Sequence, residues 1–537
     1  EKAKALRAIN VIKEKANGII KGRHCADGRP QREWYSKLDT SSPTVGIDSL
    51  ILSLLIDAHE GRDVATADVA GAYLNAFMPD LVLMKLTGED VNLMVDVCPK
   101  FAEFVTTERN RKVLYLRMDR ALYGCVQSAL LWYRLFSGTL QEMGFVLNPY
   151  DPCVANATIE GKQCTIAWYV DDNKISHVDP KVVSMIIEKI EARFGTMVKT
   201  RGNKHIFLGM DFEIQDGLVT ISMRRYLEEA IQECDLGIAK TATTPARKTL
   251  FDVDRSSPLL KPKPRDKYRS VVSKLLYVGL RARPDLLVAL CYLSTRVAQP
   301  TIQDEGKLRR LLEYINGTLD LKMTIGADDL TTMYTFIDVA YGVHPDCKSQ
   351  TGSVQTFGRR GILSRANKHK IVTKSSTEAE LVGFSDYLPH TIWTQYFMEA
   401  QGHPITSSYL EQDNESAIKL EKHGRASAGQ RSRHIHIRYF WIKDRLAQDS
   451  ALHLRHCDTG AMLADFLTKP LQGSLFRKFR DVILGYAHIS TLKAPIQPVS
   501  LVERVVGQGN HDVPESIRDG VVPVDSVGSQ VTAVTTE

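Results

Sequence analysis

Several features that mark membrane, secreted and zinc-binding proteins are missing from this chain. No apolar run approaches the roughly 18 residues of a membrane-spanning helix, and the N-terminus lacks the pattern of a secretory signal peptide. The nine cysteines form no C-x-x-C pair, which argues against a zinc ribbon and against a framework of disulfides. We therefore expect a protein of a reducing compartment without a membrane partner.

Strong charge imbalance is also missing, since the net charge is only +6 over 537 residues. Such a balance indicates a nucleic-acid partner only if the basic residues cluster. The length predicts three or four domains, and the mixed character of the first residues suggests a piece of a longer polypeptide. Aromatic residues are absent after His488, so we expect a disordered tail.

The most informative stretch that is present runs from Ile166 to Ile175. Two apolar, β-branched runs flank Asp171 and Asp172, which predicts a β-hairpin with two carboxylates at its tip. Adjacent carboxylates repel each other, and a fold that holds them together normally needs a cation such as Mg²⁺. The alternative is a solvated Asp-Asp turn.

Other acidic residues stand where strands end or helices begin. Asp68 follows the alternating strand pattern of residues 62–68 and precedes small residues, so it is either a metal ligand or a strand-end cap. Farther along the chain a second set has the same placement. Its members are Asp338, Glu378 or Glu380, Asp413 and Asp465. Asp413 and Glu378 could instead be helix N-terminal caps.

With these residues laid out, the chain resembles the reverse transcriptase and ribonuclease H region of a copia-type (pseudoviral) LTR retrotransposon Pol polyprotein. The resemblance covers about residues 20 to 480 and rests on segments in the family's order. In the first half these are A-D-V-A-G-A-Y-L-N at 67–75, R-A-L-Y-G-C-V-Q-S-A-L-L-W-Y at 120–133 and Y-V-D-D at 169–172. In the second half they include K-S-S-T-E-A-E-L, D-N-E-S-A-I, R-H-I-H-I-R-Y and L-A-D-F-L-T-K-P.

The resemblance implies an α+β multidomain fold, with a right-hand polymerase of fingers, palm and thumb followed by a ribonuclease H-like α/β domain. The expected boundaries are 1–240 for fingers and palm, 241–330 for a linker and helical thumb or connection, 331–475 for the ribonuclease H-like domain, and 476–537 for the disordered tail.

The resemblance also implies site residues. Asp68, Asp171 and Asp172 correspond to the polymerase metal ligands, and Asp338, Glu380, Asp413 and Asp465 to the acidic quartet of ribonuclease H. Each site would hold two Mg²⁺ ions, with Mn²⁺ as an alternative. Arg23 and Lys21 would grip the triphosphate, Tyr73 would exclude a 2′-OH, and Gln127 would line the nucleotide pocket. Nucleic acid would contact Arg431, Arg433, His434, Arg438, Lys368 and Lys370.

The expected function is RNA-directed DNA synthesis coupled to degradation of the RNA strand of the hybrid. The implied partners are an RNA template, a DNA or tRNA primer, the RNA–DNA hybrid and deoxynucleoside triphosphates, with upstream integrase, protease and capsid parts in the polyprotein. The implied location is the cytoplasm, inside virus-like particles, with the nucleus as a later location.

Three departures from the family pattern leave a rival open, namely a catalytically impaired nucleic-acid-binding remnant. Asn173-Lys174 replaces apolar residues and places a cation that could compete with metal, Ser128-Ala129-Leu130 lacks a proline, and Pro389 interrupts a predicted helix. A generic metal phosphohydrolase is a third reading, but it does not explain two separate sets of acids.

Overall fold

The computed structural model describes residues 2–14, 18, 20–423 and 436–492. The first part of the chain holds a buried helix and a small mixed sheet, together with one strand, Asp63–Asp68, that belongs to another sheet. The elements are β1 (Leu6–Glu14), β2 (Ile20–Ala26), α1 (Ile47–Glu60), β3 (Asp63–Asp68), α2 (Ala72–Asn75), β4 (Leu83–Thr87), α3 (Glu89–Val97), β5 (Thr106–Glu108) and β6 (Arg111–Arg117). Strands β2-β1-β4-β6-β5 form one sheet in that order.

The next segment builds the central sheet. Its elements are α4 (Ser128–Glu142), β7 (Val146–Asn148), β8 (Asp151–Ile159), β9 (Lys162–Tyr169), β10 (Asp172–His177), α5 (Pro180–Phe194), β11 (Val198–Arg201), β12 (Lys204–Phe207), β13 (Met210–Gln215), β14 (Leu218–Ser222) and α6 (Arg224–Cys234). The sheet order is β11-β3-β10-β9-β8-β7, so β3 lies beside β10 although β7, β8 and β9 come between them in the chain.

One face of the central sheet is closed by aromatic and aliphatic side chains. Trp132 of α4 stacks on Phe136 and packs edge-on against Phe194 of α5. Trp168 of β9 meets Phe136 in the same cluster, and all these rings are almost fully buried. Large buried aromatic surfaces of this kind stabilise a domain strongly, so the strands that carry Asp68 and Asp172 stand on a rigid base.

Residues 241–330 hold helices and one strand: α7 (Pro262–Gly279), α8 (Leu287–Ser294), α9 (Ile302–Asn316) and β15 (Met323–Ile325). β15 pairs with β14 and completes a sheet of order β12-β13-β14-β15, so the expected boundary at residue 240 cuts through a sheet. The segment after residue 240, which was expected to be a linker, forms hydrogen bonds with other parts of the fold. Ala242 donates its N–H to the Glu313 carbonyl, and the Thr244 hydroxyl, which is buried, donates to Gln472.

The last described part is a second α/β unit. Its elements are β16 (Thr332–Ala340), β17 (Gln350–Thr356), β18 (Gly361–Lys368), α10 (Ser376–Ala400), β19 (Ser407–Gln412), α11 (Glu415–His423), α12 (His436–Gln448), β20 (Leu452–His456), α13 (Asp465–Thr468) and α14 (Gly473–Ile483). The sheet order is β18-β17-β16-β19-β20, antiparallel on one side of β16 and parallel on the other.

Two expectations about this unit are wrong. The disordered tail does not begin at residue 476, because α14 buries Phe476, Phe479 and Val482, and Phe476 packs against Tyr314 of α9; residues 493–537 lie outside the described part. Pro389 does not interrupt the helix, since α10 runs continuously through it. Pro389 is solvent-exposed, so its ring lies on the outer side of α10 and does not disturb the core.

Candidate active sites

The predicted hairpin exists and brings its carboxylates to a third one. Tyr169 and Asp172 are register partners across β9 and β10, and Asp172 is also the partner of Asp68 on β3. Directly opposed residues on neighbouring strands project from the same face of a sheet. Asp171 occupies the turn, where its carbonyl accepts the N–H of Val69. The three acids predicted from distant parts of the sequence therefore share one edge of the central sheet.

The turn itself is held in an unusual conformation. Val170 has a φ of 59°, in the left-handed region that a β-branched residue rarely adopts. The indole Nε1–H of Trp132 donates to the Val170 carbonyl at 2.6 Å, and the Asn173 amide donates to the Asp171 carbonyl at 2.9 Å. Backbone strain of this kind persists only where the surroundings fix it, and it is common at functional sites. Asn173, expected to weaken the site, is buried and braces the turn.

The electrostatics of these carboxylates favour a bound cation. Burial and the neighbouring Asp171 and Asp68 raise the pKa of Asp172 to about 6. Burial and Asp68 likewise raise the pKa of Asp171, while Arg23 and Lys21 oppose the shift. Within the described ranges, none of the three acids forms an ion pair. Asp171 and Asp172 are thus unpaired, half-buried carboxylates with raised pKa values, which fit a divalent cation that would favour their charged forms.

Cations and aromatics predicted to bind nucleotide lie around this edge. Arg23 and Lys21 stand on β2 and influence the pKa of Asp171. The Arg23 guanidinium lies 5.4 Å from the centre of the Tyr123 ring, and Tyr123 in turn is 4.6 Å from the Tyr73 ring. Burial, and next Asp171, raise the pKa of Tyr73. Arg23 and Tyr73 are thus linked through Tyr123, which the sequence had not singled out.

Gln127 lies at the start of α4, and its side chain forms a hydrogen bond with Asp80. Its amide donates to Asp80 at 2.8 Å, and the Tyr35 hydroxyl donates to the same carboxylate at 2.9 Å. These two hydrogen bonds lower the pKa of Asp80. Ser128, just before the position of the missing proline, donates its hydroxyl to the Leu122 carbonyl at 2.6 Å and so closes the turn before α4.

The prediction that Lys174 competes with metal for the carboxylates is wrong. Lys174 is fully buried, and its ammonium donates to Asp57 of α1 and to the Ser176 hydroxyl at 3.4 Å. Burial lowers the pKa of Lys174, and the contact with Asp57 opposes that shift. The lysine side chain is therefore bound on the covered part of the sheet, away from the hairpin tip.

The second set of acids converges more tightly than the first. Asp338 lies two residues before the end of β16, Asp413 follows β19, and Asp465 begins α13. One carboxylate oxygen from each lies within 4.8 Å of the others, the only such group of three found in the described ranges. The oxygens of Asp68, Asp171 and Asp172 do not all come that close. Burial and Asp338 raise the pKa of Asp465 to about 7 and also raise that of Asp413.

The structure separates the roles of the two candidate glutamates on α10. Glu378 caps the helix: the Ser375 hydroxyl accepts its N–H at 3.2 Å, and its carboxylate accepts the Lys374 N–H at 2.8 Å. Glu380 instead turns toward the acid cluster. Burial raises the pKa of Glu380 well above its usual range, and Asp338 and Asp413 add to the shift. Glu380 is therefore under the electrostatic influence of Asp338 and Asp413, although its oxygens are not part of the close group of three.

Two polar groups at this cluster were missed by sequence reasoning. The Lys469 ammonium lies 2.6 Å from an Asp465 oxygen and 3.8 Å from an Asp338 oxygen, and the Thr468 hydroxyl donates to Asp338. The spacing of four residues between Asp465 and Lys469 is a helical ion-pair pattern that could have revealed the lysine. Oxygen ligands this close together fit divalent cations, with Lys469 balancing part of their charge.

The predicted nucleic-acid contacts are only partly described. Arg431, Arg433 and His434 lie outside the described residues. Arg438 on α12 pairs with Asp386 of α10 at 2.6 Å, and Lys368 pairs with Asp346 at 2.8 Å, whereas Lys370 is exposed. No helix in the described ranges is both long and apolar enough to cross a membrane.

Comparisons with known proteins agree with the resemblance. Residues 2–248 match the family described as reverse transcriptase (RNA-dependent DNA polymerase). The chain is 27% identical over 467 residues to the Retrovirus-related Pol polyprotein from transposon RE1 of Arabidopsis thaliana, covering 86% of this chain and 30% of that polyprotein. It is 25% identical over 481 residues to the Pol polyprotein from transposon TNT 1-94 of Nicotiana tabacum, covering 88% of this chain and 34% of that polyprotein.

The chain thus spans about a third of the length of these curated relatives. Among solved structures, a foamy viral protease-reverse transcriptase in complex with RNA/DNA hybrid is similar at a TM-score of 0.48 and 13% identity. That match covers 87% of this chain and 52% of the viral chain.

Proposed function

Residues 2–248 are a reverse transcriptase region of the copia-like retrotransposon kind, and we propose from this premise that the chain copies RNA into DNA and degrades the RNA of the resulting hybrid. The observation that carries the synthetic activity is the register of β3 and β10, which places Asp68 opposite Asp172 with Asp171 in the adjoining turn. In this proposal the central sheet is the palm, the sheet of β1 and β2 belongs to the fingers, and α7 to α9 form the thumb or connection.

In the synthetic reaction, Asp68, Asp171 and Asp172 would hold the metal ions. Two divalent cations, Mg²⁺ in this proposal, would activate the attacking 3′-oxygen of the primer and stabilise the leaving oxygen of the pyrophosphate. Lys21 and Arg23 attract the triphosphate from β2 to the acidic edge. Tyr73, packed on Tyr123, would lie under the incoming sugar and exclude a 2′-OH, so that deoxynucleotides are favoured.

Primer extension on an RNA template tests the synthetic activity. Asp172→Asn should lower extension at least about a hundredfold, because metal charge stabilisation is worth several kcal/mol of transition-state energy. Asp179→Asn is the matched control: Asp179 caps α5 just beyond the hairpin and lies outside the acid group. Equal extension by the wild type and Asp172→Asn, or none by the wild type, would refute the proposal and leave the impaired remnant.

For RNA degradation, we propose that Asp338, Glu380, Asp413 and Asp465 form a ribonuclease H site. The close approach of three carboxylate oxygens supports this assignment. Asp413→Asn should abolish cleavage of the RNA strand of a labelled hybrid. Asp458→Asn is its control, because Asp458 is outside the group of three and follows Cys457, whose N–H donates to the carbonyl of Gln412 just before Asp413. Cleavage that survives Asp413→Asn would refute this part of the proposal.

The proposed ligands follow from the two reactions: an RNA template, a DNA or tRNA primer, deoxynucleoside triphosphates and the hybrid product. Arg438, Lys368 and Lys370 are proposed to contact the hybrid backbone. Because Arg438 and Lys368 already pair with carboxylates, binding would exchange those contacts for phosphates.

A further inference from the structure

Arg281, just after α7, carries a positive charge without an acidic partner in the described part of the chain. Its guanidinium lies 3.5 Å from the centre of the Tyr277 ring, and Nη1 donates to the Tyr277 carbonyl at 3.1 Å. Its Nε is buried and has no hydrogen-bond partner. Arg283, two residues on, pairs with Asp285 at 2.8 Å. Burying part of a cation costs free energy when its N–H donors have no acceptors, unless an anion binds there.

The platform beneath Arg281 is rigid. The Tyr277 hydroxyl donates to the Leu208 carbonyl at 2.8 Å, and Tyr226 stacks on the Tyr277 ring at 5.7 Å. Tyr226 also lies against Gly209, where a β-carbon would come within 2.6 Å of its hydroxyl. Stacking and hydrogen bonding from both sides fix the plane on which the guanidinium rests.

The platform beneath this cation adjoins the strand that carries Asp68. His205 Nδ1 of β12 lies 3.2 Å from the Thr66 hydroxyl of β3, two residues before Asp68, and Leu208, whose carbonyl accepts the Tyr277 hydroxyl, follows three residues after His205. Burial lowers the pKa of Arg281, and the nearby hydroxyls of Tyr277, Tyr169 and Tyr226 oppose the shift. Tyr169 is 39% exposed and is the register partner of Asp172. Lys21 and Arg23, which influence Asp171, come instead from β2 in a different sheet. The acidic edge is thus flanked by cations on two separate elements.

In an in-line displacement the attacking oxygen and the leaving oxygen lie on opposite sides of the phosphorus. Lys21 and Arg23 serve the leaving pyrophosphate in the function proposed above, so the strand that supplies the attacking oxygen needs its own contact. We propose that Arg281 binds a backbone phosphate of the primer strand close to its 3′ end. The guanidinium fork matches a phosphate bidentately, and Arg281 is a positioning residue because it does not touch the reacting atoms.

This inference rests on the proposed function, and a binding measurement separates the two. We would measure the affinity of wild-type protein, Arg281→Gln and Arg281→Lys for a fluorescent primer annealed to RNA, over a range of salt concentrations. Arg281→Gln should weaken binding about tenfold, the loss expected for one charge-assisted hydrogen bond. The slope of log affinity against log salt should fall by about one, and Arg281→Lys should restore the slope.

Arg269→Gln is the matched control, because Arg269 is an exposed arginine on α7 far along the helix from Arg281. It should bind as the wild type does. A merely structural role for Arg281 would lower thermal stability without changing the salt slope. Unchanged affinity and slope in Arg281→Gln, or equal losses in Arg281→Gln and Arg269→Gln, would overturn the inference. A wild type that binds but does not extend the primer would refute the proposed synthesis, and the same binding comparison would still decide the role of Arg281.

Discussion

At the residue scale, the buried ion pair of Lys174 with Asp57 explains why the central sheet can hold a lysine two residues from Asp172. Both side chains are fully excluded from solvent, and Arg62 lies 3.8 Å from the same aspartate. Breaking a buried ion pair by removing one partner leaves an uncompensated charge. Lys174→Met should therefore lower the free energy of unfolding by about 3 kcal/mol in urea denaturation.

The double variant Lys174→Met with Asp57→Leu should recover most of that loss, since it removes both buried charges. Lys174→Met should not change the affinity for Mg²⁺ measured by calorimetry. Tighter Mg²⁺ binding in the single variant would show that the lysine competes with metal after all.

Single residues also show what the sequence could and could not reveal. Asp171 and Asp172 were predictable because a hairpin is local and its turn residues adjoin each other. The partner of Lys174 was not, because Asp57 lies on a helix far away in the chain and nothing local links the two. The role of Arg281 was not predictable either. It depends on which side chains surround Arg281 in the folded chain, and none of the described neighbours is an acidic partner.

At the scale of elements, α10 is the informative case. An interior proline removes one backbone hydrogen bond, yet α10 is continuous from Ser376 to Ala400. Because Pro389 is exposed, water can satisfy the freed carbonyl, which reduces the cost. Pro389→Ala should raise the free energy of unfolding by about 1 kcal/mol and leave RNA cleavage unchanged. A loss of cleavage would mean that the proline positions Glu380.

The boundaries of elements are harder to predict than their types. The capping pattern at Ser375 predicted the start of α10 correctly. The start of the predicted tail at residue 476 is wrong because α14 is short and its burial depends on Tyr314 and Phe466, which local sequence does not show. Likewise, β15 looked like part of a helical segment although it completes a sheet begun by β12.

At the scale of the whole molecule, raised acid pKa values make stability depend on pH. The pKa is raised to about 6 for Asp172, about 7 for Asp465 and about 8 for the buried Glu421. Between the ordinary carboxyl pKa and these values the native state binds more protons than the unfolded state. The contribution of these groups to the free energy of unfolding therefore falls as pH rises through this window.

Without divalent cations, the melting temperature should accordingly fall between about pH 5.5 and about pH 8. Mg²⁺ should raise it by about 2 °C or more at the higher pH and by less at the lower one, because only the deprotonated acids bind metal. Differential scanning calorimetry measures both effects. An equal effect of Mg²⁺ at the two pH values would contradict the assignment of these acids as metal ligands.

In the proposed function, two separate acid groups on one chain perform two reactions. The most direct measurement follows both strands of an RNA template and its primer, each with its own fluorophore, during incubation with Mg²⁺ and deoxynucleotides. Wild-type protein should lengthen the primer and shorten the RNA. Asp172→Asn should lose only the lengthening, and Asp413→Asn only the shortening. Loss of both reactions in either variant, with the fold intact by circular dichroism, would contradict the account.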